Sequence, residues 1–63
     1  MHLRLVRRLL QDHHHVIRDL RATHQLCETW HDAGTANLLE QLIGEAEKRA
    51  WFLFEVAQDL EAV

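Results

Sequence analysis

The sequence predicts an all-α protein, folded as an antiparallel hairpin of two long helices. The chain contains no proline, and its two glycines stand only at positions 34 and 44. On both sides of a single break near Gly34, apolar residues recur at alternating intervals of three and four. This spacing lines one face of an α-helix. A connection of only a few residues then places the two helices side by side in opposite directions.

The first helix is predicted from about residue 2 to residue 31. Its stripe comprises Leu3, Val6, Leu10, His13, Ile17, Leu20, His24 and Cys27. Leu9, Val16 and Trp30 lie at multiples of seven residues along one flank and widen the stripe. The pattern is typical of a helix that packs along its whole length against a neighbour.

A turn over residues 32–35 and a second helix over about residues 36–61 complete the prediction. Gly34 suits the left-handed conformation that ends many helices, and the Thr35 hydroxyl suits an N-cap. The apolar face of helix two comprises Leu39, Leu42, Ile43, Ala46, Ala50, Leu53, Phe54, Ala57 and Leu60. Gly44 lies inside this helix, where it either permits a close helix crossing or is a tolerated weak point.

Length and composition predict that the hairpin associates. The chain has 63 residues, of which 48% are hydrophobic, and one cysteine, which allows no internal disulfide. Chains of this size bury only about 60% of their unfolded surface, and two helices enclose no core between them. We therefore expect a homodimer or larger oligomer, with Trp30 and Trp51 at contacts. The expected core residues are Leu10, Ile17, Leu20, Leu39, Leu42, Leu53 and Phe54.

Charge and cysteine content give expectations about surroundings. The formal net charge of −3 offers no general attraction to nucleic acid. No stretch approaches the roughly 18–20 apolar residues of a membrane span, so we expect no membrane partner. Cys27 falls within the apolar stripe, which favours a packed thiol over a reactive one and suits a reducing cytoplasm.

The histidines suggest a metal site. His13–His15 are consecutive, so they point about 100° apart on a helix and do not share one ion. His13 and His24 lie on the apolar stripe eleven residues apart, and we interpret them as polar residues of a helix interface, hydrogen-bonded to a neighbouring chain. His24 and Glu28 stand four apart, and Glu28 with His31 has the Glu-x-x-His spacing that di-iron bundles use. His24, Glu28 and His31 are therefore candidate metal ligands. The alternative is that such pairs arise by chance in a histidine-rich helix.

Arg4, Arg7 and Arg8 form a small basic patch, a candidate contact for nucleic-acid phosphates. A solvated helix face is the alternative interpretation. The chain contains no serine, no tyrosine and no glycine-rich phosphate loop. We therefore do not expect this chain alone to be an enzyme.

Two segments of the sequence resemble a known family. GTANLL from Gly34, followed by EAEKRAWFL ending at Leu53, resembles the last long helix of the Dps family, the starvation-induced DNA-binding miniferritins. LLQDHHHVIRDLRA from Leu9 resembles the start of the preceding helix of that family. The resemblance covers about residues 9–60. It implies a ferritin-like four-helix bundle, assembled into a twelve-subunit shell that stores iron and often protects DNA.

The resemblance is confined to the C-terminal, two-helix half of that bundle. The family's ferroxidase ligands come from its first two long helices, so none is carried over to this chain. Asn37 and Ala46 stand where the family often has acidic or histidine residues. The resemblance thus implies an assembly module of an iron-storage and stress-protection protein, with iron and DNA as the family's ligands. The alternative is a di-iron or hemerythrin-like bundle that binds metal at a subunit interface through His24, Glu28 and His31.

Overall fold

The computed structural model describes residues 2–62, which form two antiparallel α-helices and no strand. Helix α1 runs from His2 to Thr29, and helix α2 from Ala33 to Glu61. At about 1.5 Å per residue, each helix is roughly 40 Å long. The hairpin is correspondingly slender, with extents of 49 × 14 × 11 Å. The predicted all-α hairpin is confirmed.

Helix α1 ends through a left-handed residue, His31, whose φ is 56°. The His31 N–H donates to the Glu28 carbonyl at 3.1 Å, and the Asp32 N–H donates to the Cys27 carbonyl at 2.8 Å. This pair of bonds is the Schellman motif, which satisfies the last carbonyls of a helix. The prediction that Gly34 closes the helix is therefore wrong. Histidine is one of the few non-glycine residues enriched in the left-handed region.

Asp32 precedes the first residue of helix α2 and takes the capping role predicted for Thr35. The Asp32 carboxylate accepts a hydrogen bond from the Thr35 N–H at 3.1 Å. The Asp32 carbonyl accepts the first helical bond, from the Ala36 N–H, at 3.0 Å. Because Asp32 caps the helix, α2 begins three residues before the predicted start and includes Gly34. The connection between the helices shortens to residues 30–32.

The predicted stripe of α1 is the face that packs on α2. No described residue of α1 is fully buried. Its half-buried residues are Leu3, Val6, Leu10, His13, Ile17, Leu20, His24 and Cys27. This set coincides with the eight predicted residues, and the prediction is confirmed.

The buried residues all belong to α2 and are mostly small. They are Ala36, Leu39, Ile43, Ala46, Ala50 and Ala57. Small side chains at a contact allow two helices to approach closely. The predicted core residues Leu42 and Phe54 are each 40% exposed, because α2 turns its alanines rather than these two side chains toward α1. Their prediction as core is wrong for the single hairpin.

Gly44 meets no close neighbour within the hairpin. A Cβ built at this position finds no atom within 4 Å. A close crossing of α1 and α2 therefore does not require this glycine, and the finding favours its interpretation as a weak point. Within residues 2–62, neither helix combines the length and apolar character needed to cross a lipid bilayer.

We expect His31→Gly to stabilise the hairpin by about 0.5–1 kcal/mol, because glycine adopts a positive φ without the steric cost of a Cβ. Urea unfolding followed by circular dichroism, repeated at several protein concentrations, measures the change. Ala22→Gly, at an exposed position inside α1, is the control and should lose about 1 kcal/mol. A loss for both variants would contradict the left-handed assignment of His31.

Candidate functional site

The polar contacts between the two helices lie along one long edge of the hairpin, here called the polar edge. The pairs are Arg7 with Glu61, Arg21 with Glu47 at 2.9 Å, and His24 with Glu40 at 3.0 Å. The carboxylates of all three pairs are about half exposed or more. Exposed ion pairs contribute little stability each, usually about 0–1 kcal/mol. The pairs therefore mark the register of α1 against α2 rather than determine it.

His24 is the most enclosed charged or titratable side chain of these pairs, at 19% exposure. Its Nε2 lies 3.0 Å from Glu40 Oε1 on α2, and its Nδ1 lies 3.2 Å from Glu28 Oε1, one turn further along α1. Both ring nitrogens donate at once only when the imidazole is doubly protonated. His24 is thus a bridge between two carboxylates, one on each helix.

Glu40 was not among the residues identified from the sequence. His24 and Glu40 each stand eight positions from Asp32, on opposite sides of it. Residues equally distant from the centre of a tight antiparallel turn lie opposite each other. The equal spacing is visible in the sequence, but it does not single out Glu40, because the pairs Arg7–Glu61 and Arg21–Glu47 are centred on position 34 instead.

A surface groove of about 390 Å³ lies at the closed end of the hairpin. The three predicted ligands, His24, Glu28 and His31, all line it, together with Cys27 and Glu40. The short turn brings these residues together because it places the end of α1 beside the start of α2. The groove therefore contains nitrogen, oxygen and sulfur donors, the ligand types that transition metals take.

The groove does not hold a preformed coordination set. Among residues 2–62, no three His, Cys, Asp or Glu side chains are placed to hold a metal ion. Both ring nitrogens of His24 already face carboxylates. The single hairpin therefore does not fit the iron that the resemblance implies. Metal binding by His24, Glu28 and His31 stays a prediction that needs further donors.

Of the remaining residues, His13 and Cys27 lie on the face of α1 that packs on α2. The Nδ1 of His13 lies 2.8 Å from the Leu9 carbonyl, one turn back on α1, and the ring is half-buried. His14 and His15 are exposed. Cys27 is a half-buried free thiol in the face of α1 that meets α2.

The arginine patch lies toward the open end of the hairpin, where Arg4, Arg7 and Arg8 line one shallow surface with Gln11. Arg7 is paired with Glu61 of α2, so the carboxylate offsets one of the three positive charges. Contact of this patch with nucleic acid stays a prediction.

The opposite side of the hairpin is apolar. At about 100° per residue, one set of exposed apolar side chains falls on the side away from the ion pairs. This apolar face comprises Leu5, Leu9, Val16, Leu26 and Trp30 of α1, and Leu38, Leu42, Phe52 and Leu60 of α2. Their exposure ranges from 37% for Leu60 to 78% for Trp30. A cluster of exposed apolar side chains on one side of a protein marks a site of interaction.

Two further aromatic residues lie on the polar-edge side. Trp51 and Phe54 stack with ring centroids 5.5 Å apart. They line a second groove with Leu10, Ile17 and Arg21. The predicted contact residue Trp51 is 63% exposed, and the predicted contact residue Trp30 lies on the apolar face instead.

A slender hairpin with one ion-paired edge and one apolar face has the form of half a helical bundle. Comparison with family models gives a match to the ferritin-like domain over residues 2–63. The chain therefore belongs to the ferritin-like domain family. No curated protein and no solved structure matches it.

Asp32, at the rim of the groove, is a carboxylate whose titration the fold perturbs. Hydrogen bonding to the Thr35 side chain, and then to the Thr35 backbone N–H, lowers the pKa of Asp32 below its ordinary value. The folded chain therefore holds the Asp32 proton more weakly than the unfolded chain. The stability that this carboxylate contributes is present above its unfolded pKa and is lost as the pH falls through the lower, folded pKa.

We expect Asp32→Asn to leave stability at pH 7 nearly unchanged and to reduce the loss of stability below about pH 4, because asparagine keeps the capping oxygen without a titrating proton. Asp32→Ala, which removes the cap, should lower stability at both pH values. Urea unfolding of the two variants and of Asp12→Asn, a control elsewhere on an exposed helix face, measures the difference. Equal acid sensitivity of Asp32→Asn and the original chain would contradict the capping role.

Proposed function

We propose that this hairpin is an assembly module of the Dps miniferritin type, whose apolar face packs on a second copy of the hairpin to complete a four-helix ferritin-like bundle. The apolar face is the observation that carries the proposal. It runs along both helices and lies opposite all the ion pairs between them. A hairpin that used only its own contacts would leave this side in water.

The burial pattern explains why a second hairpin is required. No described residue of α1 is fully buried, and the six buried residues of α2 include four alanines. Full burial of one large apolar side chain stabilises a fold by about 1.5–3 kcal/mol. Most such side chains on the apolar face gain this energy only by association. Pairing of two hairpins therefore supplies the core that one hairpin lacks.

Family membership and the motif resemblance suggest the biological role. The chain belongs to the ferritin-like domain family, and the segments from Gly34 to Leu53 resemble the closing helix of Dps proteins. We propose iron storage and stress protection in the cytoplasm as the role of the assembly. In it, this hairpin supplies packing surface rather than the ferroxidase ligands, which the family places on other helices.

Analytical ultracentrifugation tests the assembly. We expect a dimer or larger species at micromolar concentration, and we expect Phe52→Gln to shift it toward monomer because an apolar contact is lost. Trp51→Gln is the matched control: the neighbouring aromatic residue has almost the same exposure, 63% against 64%, but lies on the polar-edge side. A folded monomer of the original chain at these concentrations would contradict the proposal.

A second candidate function is metal binding in the groove at the closed end. It is favoured by one observation, the common groove that His24, Glu28 and His31 line with Glu40. In an assembly, further carboxylates from a neighbouring hairpin would have to complete the ligand set.

Metal analysis of untagged protein, with iron-dependent oxygen consumption measured alongside, tests the metal site. The candidate predicts stoichiometric metal that is lost in His31→Asn, since asparagine tolerates the left-handed backbone but removes the imidazole. His14→Asn, an exposed histidine outside the groove, should keep the metal. Absence of stoichiometric metal from the original chain would rule this candidate out.

A further inference from the structure

Helix α2 carries a second repeating stripe beside the one that packs on α1. Its members recur at intervals of four, three, four, three and four. They are Leu38, Leu42, Glu45, Arg49, Phe52 and Val56. Val56 is half-buried and the other five are exposed. Alternating three-and-four spacing is the signature of a helix seam that meets another helix.

This second stripe is symmetric about its centre. Counting outward from Glu47, Glu45 corresponds to Arg49, and the apolar residues correspond in two further pairs, Leu42 with Phe52 and Leu38 with Val56. Glu47 is also the midpoint of α2, fourteen residues from each end of Ala33–Glu61. An antiparallel pairing centred there overlaps the two helices along their full length.

We propose that two copies of α2 pack antiparallel through this second stripe, across a two-fold axis that passes level with position 47 of the helix. In this arrangement Glu45 of each copy pairs with the partner's Arg49. This inference rests on the proposed pairing of hairpins and specifies its geometry. In a two-fold interface every contact occurs twice. The axis therefore creates two identical ion pairs at its centre and flanks them with contacts between apolar residues.

Charge complementarity identifies a second copy as the occupant. Neither Glu45 nor Arg49 has an ion-pair partner among residues 2–62. A purely apolar partner would leave Glu45 and Arg49 with only each other to pair, four residues apart on one helix, and burying charges without further partners is costly in an interface. A second copy supplies the opposite charge at each position. No different partner is needed to satisfy the face.

The same charges select one register. A shift of seven residues places Glu45 against the partner's Leu42 or Val56. The same shift places Arg49 against the partner's Leu38 or Phe52. Polar residues at isolated seam positions fix register in this way in coiled coils. A competing arrangement stacks α1 on the partner's α2, where Asp12 and Asp19, two exposed carboxylates on one face of α1, are the candidate partners of Arg49.

Charge reversal tests the geometry. Glu45→Arg and Arg49→Glu should each weaken self-association by about tenfold or more, because each sets like charges against each other twice across the axis. The double variant restores opposite charges and should self-associate like the original chain. A mixture of the two single variants should form a one-to-one heterodimer, which also shows that each variant is folded.

Glu55→Arg and Lys48→Glu are the matched controls. They make the same changes in net charge at exposed positions on the outer side of α2, so self-association and mixing should stay unchanged. Sedimentation equilibrium at two salt concentrations measures all variants. If the original chain dimerises but the reversals at 45 and 49 act like the controls, the two-fold geometry is wrong while the half-bundle stands. Rescue of Arg49→Glu by Asp12→Arg or Asp19→Arg would assign the competing arrangement, and a monomeric original chain would instead overturn the proposed function.

Discussion

The fold depends on Asp32, which serves both helices at once. Its backbone N–H closes α1 through the Cys27 carbonyl, while its carboxylate caps α2 through the Thr35 N–H. The left-handed backbone of His31 allows Asp32 to serve both helices, because it ends α1 within a connection of only three residues. With so short a connection, the helices have little freedom except to lie antiparallel. The register of every later pair, beginning with His24 and Glu40, follows from this turn.

That fixed register makes the hairpin one-sided. Three pairs bridge the helices along the polar edge, and the exposed apolar side chains lie on the opposite face, where no such pair joins the described residues of the two helices. Alanines at the contact bring α2 close to α1 and leave its larger residues, among them Leu42, beside the interface rather than inside it. The alanines of α2 therefore account both for the packing of α2 on α1 and for the exposure of the larger apolar side chains. The chain belongs to the ferritin-like domain family, and in the proposed pairing of two hairpins this face becomes the core of the bundle.

The sequence alone predicted the repeating apolar stripe of α1 better than the residues at which the helices end and begin. The eight-residue stripe of α1, from Leu3 to Cys27, was predicted correctly because helical periodicity accumulates over many turns. The turn was misplaced because glycine is the usual left-handed residue, and here histidine takes that role. Leu42 and Phe54 were assigned to the core because hydrophobicity does not reveal which apolar residue points at the neighbouring helix. Glu40 was missed because its closeness to His24 depends on the register of α1 against α2, which the hydrophobic pattern does not specify.

At the closed end of the hairpin, a bound metal ion would compete for His24 with the contacts that this residue makes to Glu28 and Glu40. His24 is held by Glu28 and Glu40, and the contact with Glu40 joins the two helices. A metal ion bound by a nitrogen of His24 would replace one of these contacts and take a deprotonated nitrogen from the ring. Within one hairpin the exchange would remove a link between helices without offering a full ligand set, since no three donors converge among residues 2–62. Under the proposed pairing, a neighbouring hairpin would have to supply the further donors before this groove could hold a metal ion.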